Sequence, residues 1–255
     1  MTNRTFTIGG DLTVNRLGYG AMRLTGQPRN YGPYQDLPGG IALLRRAAEL
    51  GMTFFDSAWS YGPETADRIV GEALGGLPVV LATKGGVDKP APDRIVVDGS
   101  RDVLHRQIEK ALVNLGRDRI DLFQLHRVDP QVAIETSVAA LAEAQADGRI
   151  RHIGLSNVSQ NDLERALSVA PIASVQNRFN MSETEDSALV DFTAAQGIAF
   201  IPYGPLGANP MQRGAKLSAR EALAWLLRRA PNIVVIPGTT SIQHLEENWS
   251  AWDLV

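Results

Sequence analysis

Eight times along the chain, a short apolar segment of strand character is followed by a longer amphipathic segment of helix character. Alternation of this kind favours parallel strands covered by helices. Eight such units in succession predict an α/β fold of the closed (β/α)8 TIM-barrel type rather than an open doubly wound sheet. Two short apolar runs flank Gly9, Gly10 and Asp11 before the first unit, which predicts a short N-terminal β-hairpin. We expect residues 1–255 to form a single barrel domain.

The composition argues against several classes of function. With 25 Lys and Arg residues against 28 Asp and Glu residues, the formal net charge of −3 gives no reason to expect nucleic acid as a partner. Cysteine is absent, so disulfides and thiol catalysis are excluded. No apolar run approaches the roughly 20 residues of a membrane span, and the N-terminus lacks the apolar core of a signal peptide. We predict a cytoplasmic monomer or weak homo-oligomer without nucleic-acid or membrane partners.

Polar residues stand at the ends of three consecutive predicted strands. Asp56 ends the second strand, Lys84 the third and His126 the fourth, while Tyr61 lies in the loop five residues after Asp56. In barrels of this type, catalytic groups gather where the strands end. Because neighbouring strands lie about 4.8 Å apart, these four side chains can converge at one mouth. Each residue alone also suits a structural role, such as capping a turn, but their shared position favours catalysis.

The four residues suit proton transfer to a carbonyl oxygen. A carboxylate keeps a neighbouring lysine protonated, and that cation lowers the pKa of a nearby phenol. We expect Tyr61 to donate a proton to an oxygen that becomes an alkoxide, with His126 hydrogen-bonded to the same oxygen. The set contains no activated nucleophile, and the scattered histidines predict no metal site. The hydride has to come from elsewhere.

Several segments, in chain order, resemble the aldo-keto reductases. They are NRLGYGAM, FFDSAWSYG, LATKGG, DLFQLHRVD, IGLSN, VQNRFN, IPYGPLG and VIPGTTSIQHLEEN, and together they cover nearly the whole chain. The resemblance implies an NADPH-dependent reductase of small aldehydes and ketones, similar to bacterial members that act on pyridoxal-like aldehydes, with NADH as the alternative cofactor. It also implies that Asp56, Tyr61, Lys84 and His126 are the catalytic residues.

The resemblance further implies a dinucleotide held without the Rossmann glycine fingerprint, which the sequence lacks. Ser156, Asn157 and Gln176 would hold the nicotinamide carboxamide, and Tyr203 would stack under the ring. The same residues also suit helix caps and strand ends without any ligand. The implied cofactor-binding residues are Gly20, Met22, Ser156, Asn157, Gln176, Tyr203, Gly204, Pro205, Leu206, Gly207, Ile236, Gly238, Thr239, Thr240, His244, Glu247 and Asn248.

Two departures from the family pattern affect these expectations. Many members carry Lys or Arg at the position of Gly238 and Arg at the position of His244, and these cations bind the 2′-phosphate that distinguishes NADP from NAD. Here Thr239, Thr240 and His244 would have to replace them. The 205–217 segment is short, and the chain ends soon after the last helix, so we expect an open substrate pocket. Its expected lining is Trp59, Tyr31, Tyr34 and Arg127.

Two other functions suit the same barrel. A nucleotide-binding regulatory or accessory protein with little turnover is the main alternative. A Schiff-base lyase acting through Lys84 is the second, because barrels often place a lysine at a strand end. Asp56 argues against it, since a nucleophilic lysine must be neutral and a carboxylate keeps it charged.

Overall fold

The computed structural model describes residues 3–205 and 218–255. In chain order, the strands are β1 (Thr5–Ile8), β2 (Leu12–Asn15), β3 (Tyr19–Gly20), β4 (Phe54–Asp56), β5 (Val80–Gly85), β6 (Val87–Ala91), β7 (Arg94–Val97), β8 (Ile120–Leu125), β9 (Ile150–Ser156), β10 (Ile172–Gln176) and β11 (Ala199–Phe200). The helices are α1 (Leu37–Leu50), α2 (Thr65–Leu74), α3 (Arg101–Leu115), α4 (Ile134–Ala146), α5 (Gln160–Leu167), α6 (Ser187–Ala195), α7 (Ala219–Arg229) and α8 (Ile242–Trp249). Among these residues, no helix is long and apolar enough to cross a membrane.

A curled sheet of parallel strands, in the order β11-β10-β9-β8-β5-β4-β3, forms the centre of the fold. The predicted eighth strand closes it by bridges rather than by a full ladder. Val235 N donates to Arg16 O over 2.8 Å on one edge, and Val234 N donates to Phe200 O over 2.9 Å on the other. Single parallel bridges join Leu17 to Val235 and Phe200 to residue 233. The sheet therefore closes into the predicted barrel.

Side chains alternate between the barrel interior and the helix layer because successive residues of a strand face opposite sides. Phe54, Ala82 and Leu122 belong to the interior cluster, whereas Phe55 and Phe123 belong to the cluster that the helices cover. Two residues further along the same strands, the interior row becomes polar, and this row carries the site described below.

The N-terminal hairpin closes the amino end of the barrel. β1 and β2 pair antiparallel, and Ile8, Leu12 and Val14 pack into the interior cluster. Gly9 and Gly10, with φ of 61° and 85°, make the turn, since glycine adopts such angles at the least steric cost. The predicted hairpin is confirmed, and it leaves the carboxyl end of the strands as the open end.

A second hairpin, formed by β6 and β7, was not predicted. It pairs antiparallel between β5 and α3, where the sequence reading expected only a connection. The signal was present in the sequence, because the run from residue 87 to residue 97 contains β-branched residues on either side of a Pro92-Asp93 turn. This hairpin forms part of the rim around the open end.

Candidate active site

A cavity of about 510 Å³ opens at the carboxyl ends of the strands. Its volume lies in the range of small-molecule sites. Both the strand ends and the loops after β3 and β5 contribute to its wall. The cavity therefore lies where a barrel of this type carries its chemistry.

A buried ion pair lies at the cavity floor, where Asp56 lines the cavity. Lys84 is fully buried, and its Nζ donates to Asp56 Oδ2 over 2.6 Å and to Ser57 O over 2.7 Å. Burial alone lowers the pKa of Lys84, but the charge of Asp56, with the hydroxyl of Tyr61, outweighs burial and raises it above its usual value. Lys84 is therefore a cation near neutral pH, as the sequence predicted.

Two glutamines hold the other carboxylate oxygen of Asp56. Gln124 Nε2 donates to Asp56 Oδ1 over 3.0 Å, and Gln176 Nε2 donates to the same atom over 2.9 Å. Gln124 pairs in register with Lys84, so both face the barrel interior. Gln124 is not among the site residues predicted from the sequence, although a glutamine inside the apolar strand IDLFQLH is itself a signal of a buried polar network.

Tyr61 reaches this ion pair from the loop after β4. Its hydroxyl lies 3.4 Å from Lys84 Nζ, and Nζ lies 5.0 Å from the centre of the ring. The expected lowering of the Tyr61 pKa is wrong in its net direction. Burial raises the pKa, Lys84 lowers it and Asp56 raises it again, with a net rise above the usual value. The phenol is therefore protonated near neutral pH, which is the form that donates a proton.

His126 lies edge-on to Tyr61. The two ring centres are 5.9 Å apart, with an angle of 82° between the planes, and Ser60 Oγ lies 3.4 Å from His126 Nδ1. Burial, with the charges of Lys84 and Arg127, lowers the pKa of His126 well below its usual value. The ring is therefore neutral, with a single N–H, and acts as a hydrogen-bonding group rather than a cation.

An amide cluster forms the neighbouring wall. Asn157 has a left-handed backbone, with φ of 57°. Its Nδ2 donates to His126 O and to Ser156 Oγ, over 3.0 Å in each case. Its Oδ1 accepts from Tyr203 OH over 2.8 Å, and its backbone N donates to Gln176 O over 3.1 Å. The structure thus brings together the four residues expected around a nicotinamide ring.

The other predicted cofactor residues divide into three groups. Those that line the cavity are Gly20, Met22, Gly204, Pro205, Ile236 and Gly238. Those that stand outside its wall are Thr239 and Thr240, just before α8, and His244, Glu247 and Asn248, within α8. Leu206 and Gly207 lie outside the described residues.

The predicted substrate residues are only partly at the cavity. Arg127 lines it, whereas Trp59, Tyr31 and Tyr34 do not. Trp59 Nε1 donates to Asp88 Oδ1 over 3.2 Å, and Tyr31 OH donates to Pro90 O over 3.0 Å. These two aromatic residues attach the β6–β7 hairpin to its surroundings. Tyr34 packs against the apolar layer between sheet and helices.

Residues that the sequence reading did not single out complete the cavity wall. They are Arg23, Asn30, Ser60, Val87, Lys89, Ile95, Arg178 and Pro237. Val87, Lys89 and Ile95 belong to the unpredicted hairpin. Within residues 3–205 and 218–255, no group of three or more His, Asp or Glu side chains could hold a metal ion.

The fold and the site together define a (β/α)8-barrel enzyme with a lysine–carboxylate pair beside a phenol at the strand ends. Residues 16–221 match the model of the Aldo/keto reductase family. This match covers well over half of the chain, and the chain belongs to that family. The prediction of an NAD(P)H-dependent oxidoreductase is thereby confirmed.

Relatives of similar length agree with this assignment. The chain is 39% identical to pyridoxine 4-dehydrogenase of Escherichia coli over 269 residues, covering 98% of this chain and 93% of the relative. It is 37% identical to an uncharacterised oxidoreductase of Schizosaccharomyces pombe over 254 residues, covering 95% of this chain and 83% of the relative.

Solved structures show the same barrel. Glycerol dehydrogenase from Gluconobacter oxydans superposes with a TM-score of 0.88 at 22% identity, covering 99% of this chain and 91% of that one, which is agreement in fold. An aldo/keto reductase from Klebsiella pneumoniae in complex with NADP and acetate superposes with a TM-score of 0.83 at 25% identity, covering 99% and 91%. NADP in this relative agrees with the predicted class of cofactor.

Proposed function

We propose that this protein reduces aldehydes or ketones to alcohols with NADPH, and that Tyr61 is the general acid. The observation that carries the proposal is the position of Lys84 Nζ, which is 2.6 Å from Asp56 Oδ2 and 3.4 Å from Tyr61 OH. The name of the relative from Escherichia coli supports a small aromatic aldehyde of the pyridoxal type as substrate. NADP in the relative from Klebsiella pneumoniae supports the cofactor.

The residues around the cavity fit a dinucleotide. Ser156, Asn157 and Gln176 offer hydroxyl and amide groups that match a carboxamide. We propose that Arg23 supplies the cation that Gly238 lacks, because the stem of Arg23 passes beside this position: a Cβ placed on Gly238 would lie 3.7 Å from Arg23 Cγ. We propose that Thr239, Thr240 and His244, at the start of α8, add the contacts that favour NADPH over NADH. When bound, the dinucleotide supplies the hydride.

The chain's own residues perform the proton chemistry. Tyr61 donates its proton to the carbonyl oxygen of the substrate, and Lys84 stabilises the phenolate that remains. Asp56 keeps Lys84 charged, and Gln124 and Gln176 hold Asp56 in place. The neutral ring of His126 donates a hydrogen bond to the same carbonyl oxygen.

Replacement of Tyr61 by phenylalanine tests the proposal. Tyr61→Phe keeps the ring but removes the proton, so kcat for aldehyde reduction should fall roughly 100- to 10,000-fold. The dissociation constant of NADPH, measured by tryptophan fluorescence, should change less than about twofold, because a hydroxyl facing the substrate contributes little to dinucleotide binding. Turnover at the unchanged rate would remove Tyr61 from the mechanism.

A panel of aldehydes that includes pyridoxal separates this proposal from its rivals. Binding of NADPH without oxidation in the presence of every aldehyde would favour the accessory protein. Borohydride trapping of a substrate on Lys84 would favour the lyase, which the raised pKa of Lys84 disfavours. The single-domain organisation, the cytoplasmic location and the monomeric or weakly oligomeric state remain predictions.

A further inference from the structure

The residues that line the cavity carry more positive than negative charge. Four cationic side chains line it: Arg23, Lys89, Arg127 and Arg178. Asp56 is the one carboxylate among the described lining residues, and it is already paired with Lys84. The cavity is thus built to receive negative charge.

Two of these cations lie next to the loops assigned to the dinucleotide. Arg23 passes beside Gly238. Arg178 lies beside Gly204, since a Cβ there would be 3.8 Å from Arg178 Nε, and it also pairs with Glu183 over 3.3 Å. We therefore assign these two arginines to the binding of the cofactor phosphates.

Arg127 and Lys89 are not among the cations beside Gly204 and Gly238, although the charge of Arg127 also acts on Tyr203. Arg127 directly follows His126, and its charge contributes to the lowered pKa of that ring. Lys89 is held on the β6–β7 hairpin, where its Nζ donates to the carbonyl oxygens of Arg29 and Asn30. Neither cation forms an ion pair with any carboxylate in residues 3–205 and 218–255.

We propose that the preferred substrate carries an oxyanionic group, a carboxylate or a phosphate, on the part remote from the reacting carbonyl, and that Arg127 binds this group while Lys89 adds attraction. The planar guanidinium matches either oxyanion with two hydrogen bonds. Arg127 directly follows His126 in the chain. A small molecule whose oxyanion binds to Arg127 can therefore place its carbonyl oxygen near Tyr61 and His126. This inference deepens the proposed function and rests on it.

Matched pairs of substrates test the inference. One pair is 4-oxobutanoate and its methyl ester, and the other is glyceraldehyde 3-phosphate and glyceraldehyde. In the wild-type protein, kcat/KM should favour the charged member of at least one pair, and that pair identifies the oxyanion as carboxylate or phosphate. In Arg127→Met, the ratio of charged to neutral kcat/KM should fall roughly 10- to 100-fold, the loss expected for a hydrogen bond to a charged group.

Arg119→Met is the matched control. Arg119 is exposed just before the amino end of β8, the strand whose carboxyl end precedes Arg127, and it does not line the cavity. This variant should keep the charged-to-neutral ratio of the wild-type protein. A charged-to-neutral ratio of kcat/KM near one for both pairs in the wild-type protein would overturn the inference. So would a ratio that Arg127→Met leaves unchanged. In either case, reduction of the neutral aldehydes would still support the proposed function.

Binding of succinate separates the two proposals further. Succinate carries a carboxylate but no reducible carbonyl, so its binding, measured by calorimetry, does not depend on turnover. It should bind to the wild-type protein and to Tyr61→Phe, and at least tenfold more weakly to Arg127→Met. If Arg23→Met rather than Arg127→Met abolishes binding, the anion occupies the cofactor end and the inference fails. If no aldehyde is reduced at all, the proposed function fails, and the inference, which rests on it, fails as well.

Discussion

The strand ends and the loop wall of the cavity are built in different ways. At the strand ends, the register of the sheet fixes each polar side chain: Lys84 lies opposite Gln124, and both glutamines beside Asp56 donate to one oxygen. In the loop wall, formed by residues 21–36 and 87–97, positions depend on contacts between distant loops, such as that of Tyr31 OH with Pro90 O. The ion pair that supports proton transfer thus depends on the register of the sheet, whereas the loop wall depends on contacts between loops.

The two regions also differ in how strongly the stability of the protein depends on a single charged residue. Lys84 and Asp56 are fully or almost fully buried, so removal of either one leaves an uncompensated buried charge. In the loop wall, Arg29 and Asp93 form an ion pair with 59% and 74% of their side chains exposed, and such pairs contribute little to stability. Substitutions should therefore have large effects in one region and small effects in the other.

Replacement of a lysine in each region should show the largest difference. Lys84→Met removes the cation that stabilises the phenolate of Tyr61, so kcat for reduction should fall roughly 100- to 10,000-fold. It also removes an influence that lowers the pKa of Tyr61. In the direction of alcohol oxidation, where the phenolate accepts a proton, the alkaline rise of kcat should therefore move to higher pH.

Lys89→Met is the matched substitution in the loop wall. Lys89 contacts carbonyl oxygens of the neighbouring loop rather than the ion pair. Its replacement should act on the KM of the aldehyde and leave the pH profile of kcat in place, because it does not contact Tyr61. Steady-state kinetics over pH 6 to 11 measures both variants. Equal losses of kcat would contradict the expectation that Lys84 acts on kcat and Lys89 on the KM of the aldehyde.

The strand-end cluster could be predicted because strand ends follow from hydrophobic patterning alone. Asp56, Lys84 and His126 each end an apolar run, and parallel strands bring such ends together. The predicted direction of the Tyr61 pKa was wrong because a charge pattern does not reveal burial, and burial outweighs Lys84. Trp59 and Tyr31 were placed in the pocket because a sequence does not show that a hairpin occupies the space beside them.

A second prediction concerns Asp67, which lies behind the strand-end cluster on α2. Asp67 is fully buried and accepts hydrogen bonds from Thr83 Oγ1 over 2.9 and 3.1 Å. Burial raises its pKa from 3.8 to about 6. Because the folded state binds this proton more tightly, the stabilisation is complete below pH 3.8 and is lost as the pH rises to about 6.

Asp67→Asn should remove this pH dependence. Above pH 6, the ionised carboxylate destabilises the folded wild-type protein by roughly 3 kcal/mol relative to the protonated form. The variant's free energy of unfolding, relative to that of the wild-type protein, should therefore rise by up to about 3 kcal/mol between pH 4 and pH 7. Urea denaturation at the two pH values measures it. A difference independent of pH would mean that Asp67 does not change its protonation in this range.

The smallest effect is expected for Tyr31→Phe, in the loop wall. The change removes one hydrogen bond between the loop after β3 and the carbonyl of Pro90, which contributes about 1 kcal/mol, so kcat/KM for the aldehyde should fall by no more than about fivefold. The loss should appear in KM, because Tyr31 supports the hairpin that carries Lys89 and Ile95 rather than the reacting groups. A tenfold or larger loss confined to kcat would instead connect this loop to proton transfer, and chemistry could then no longer be assigned to the strand ends alone.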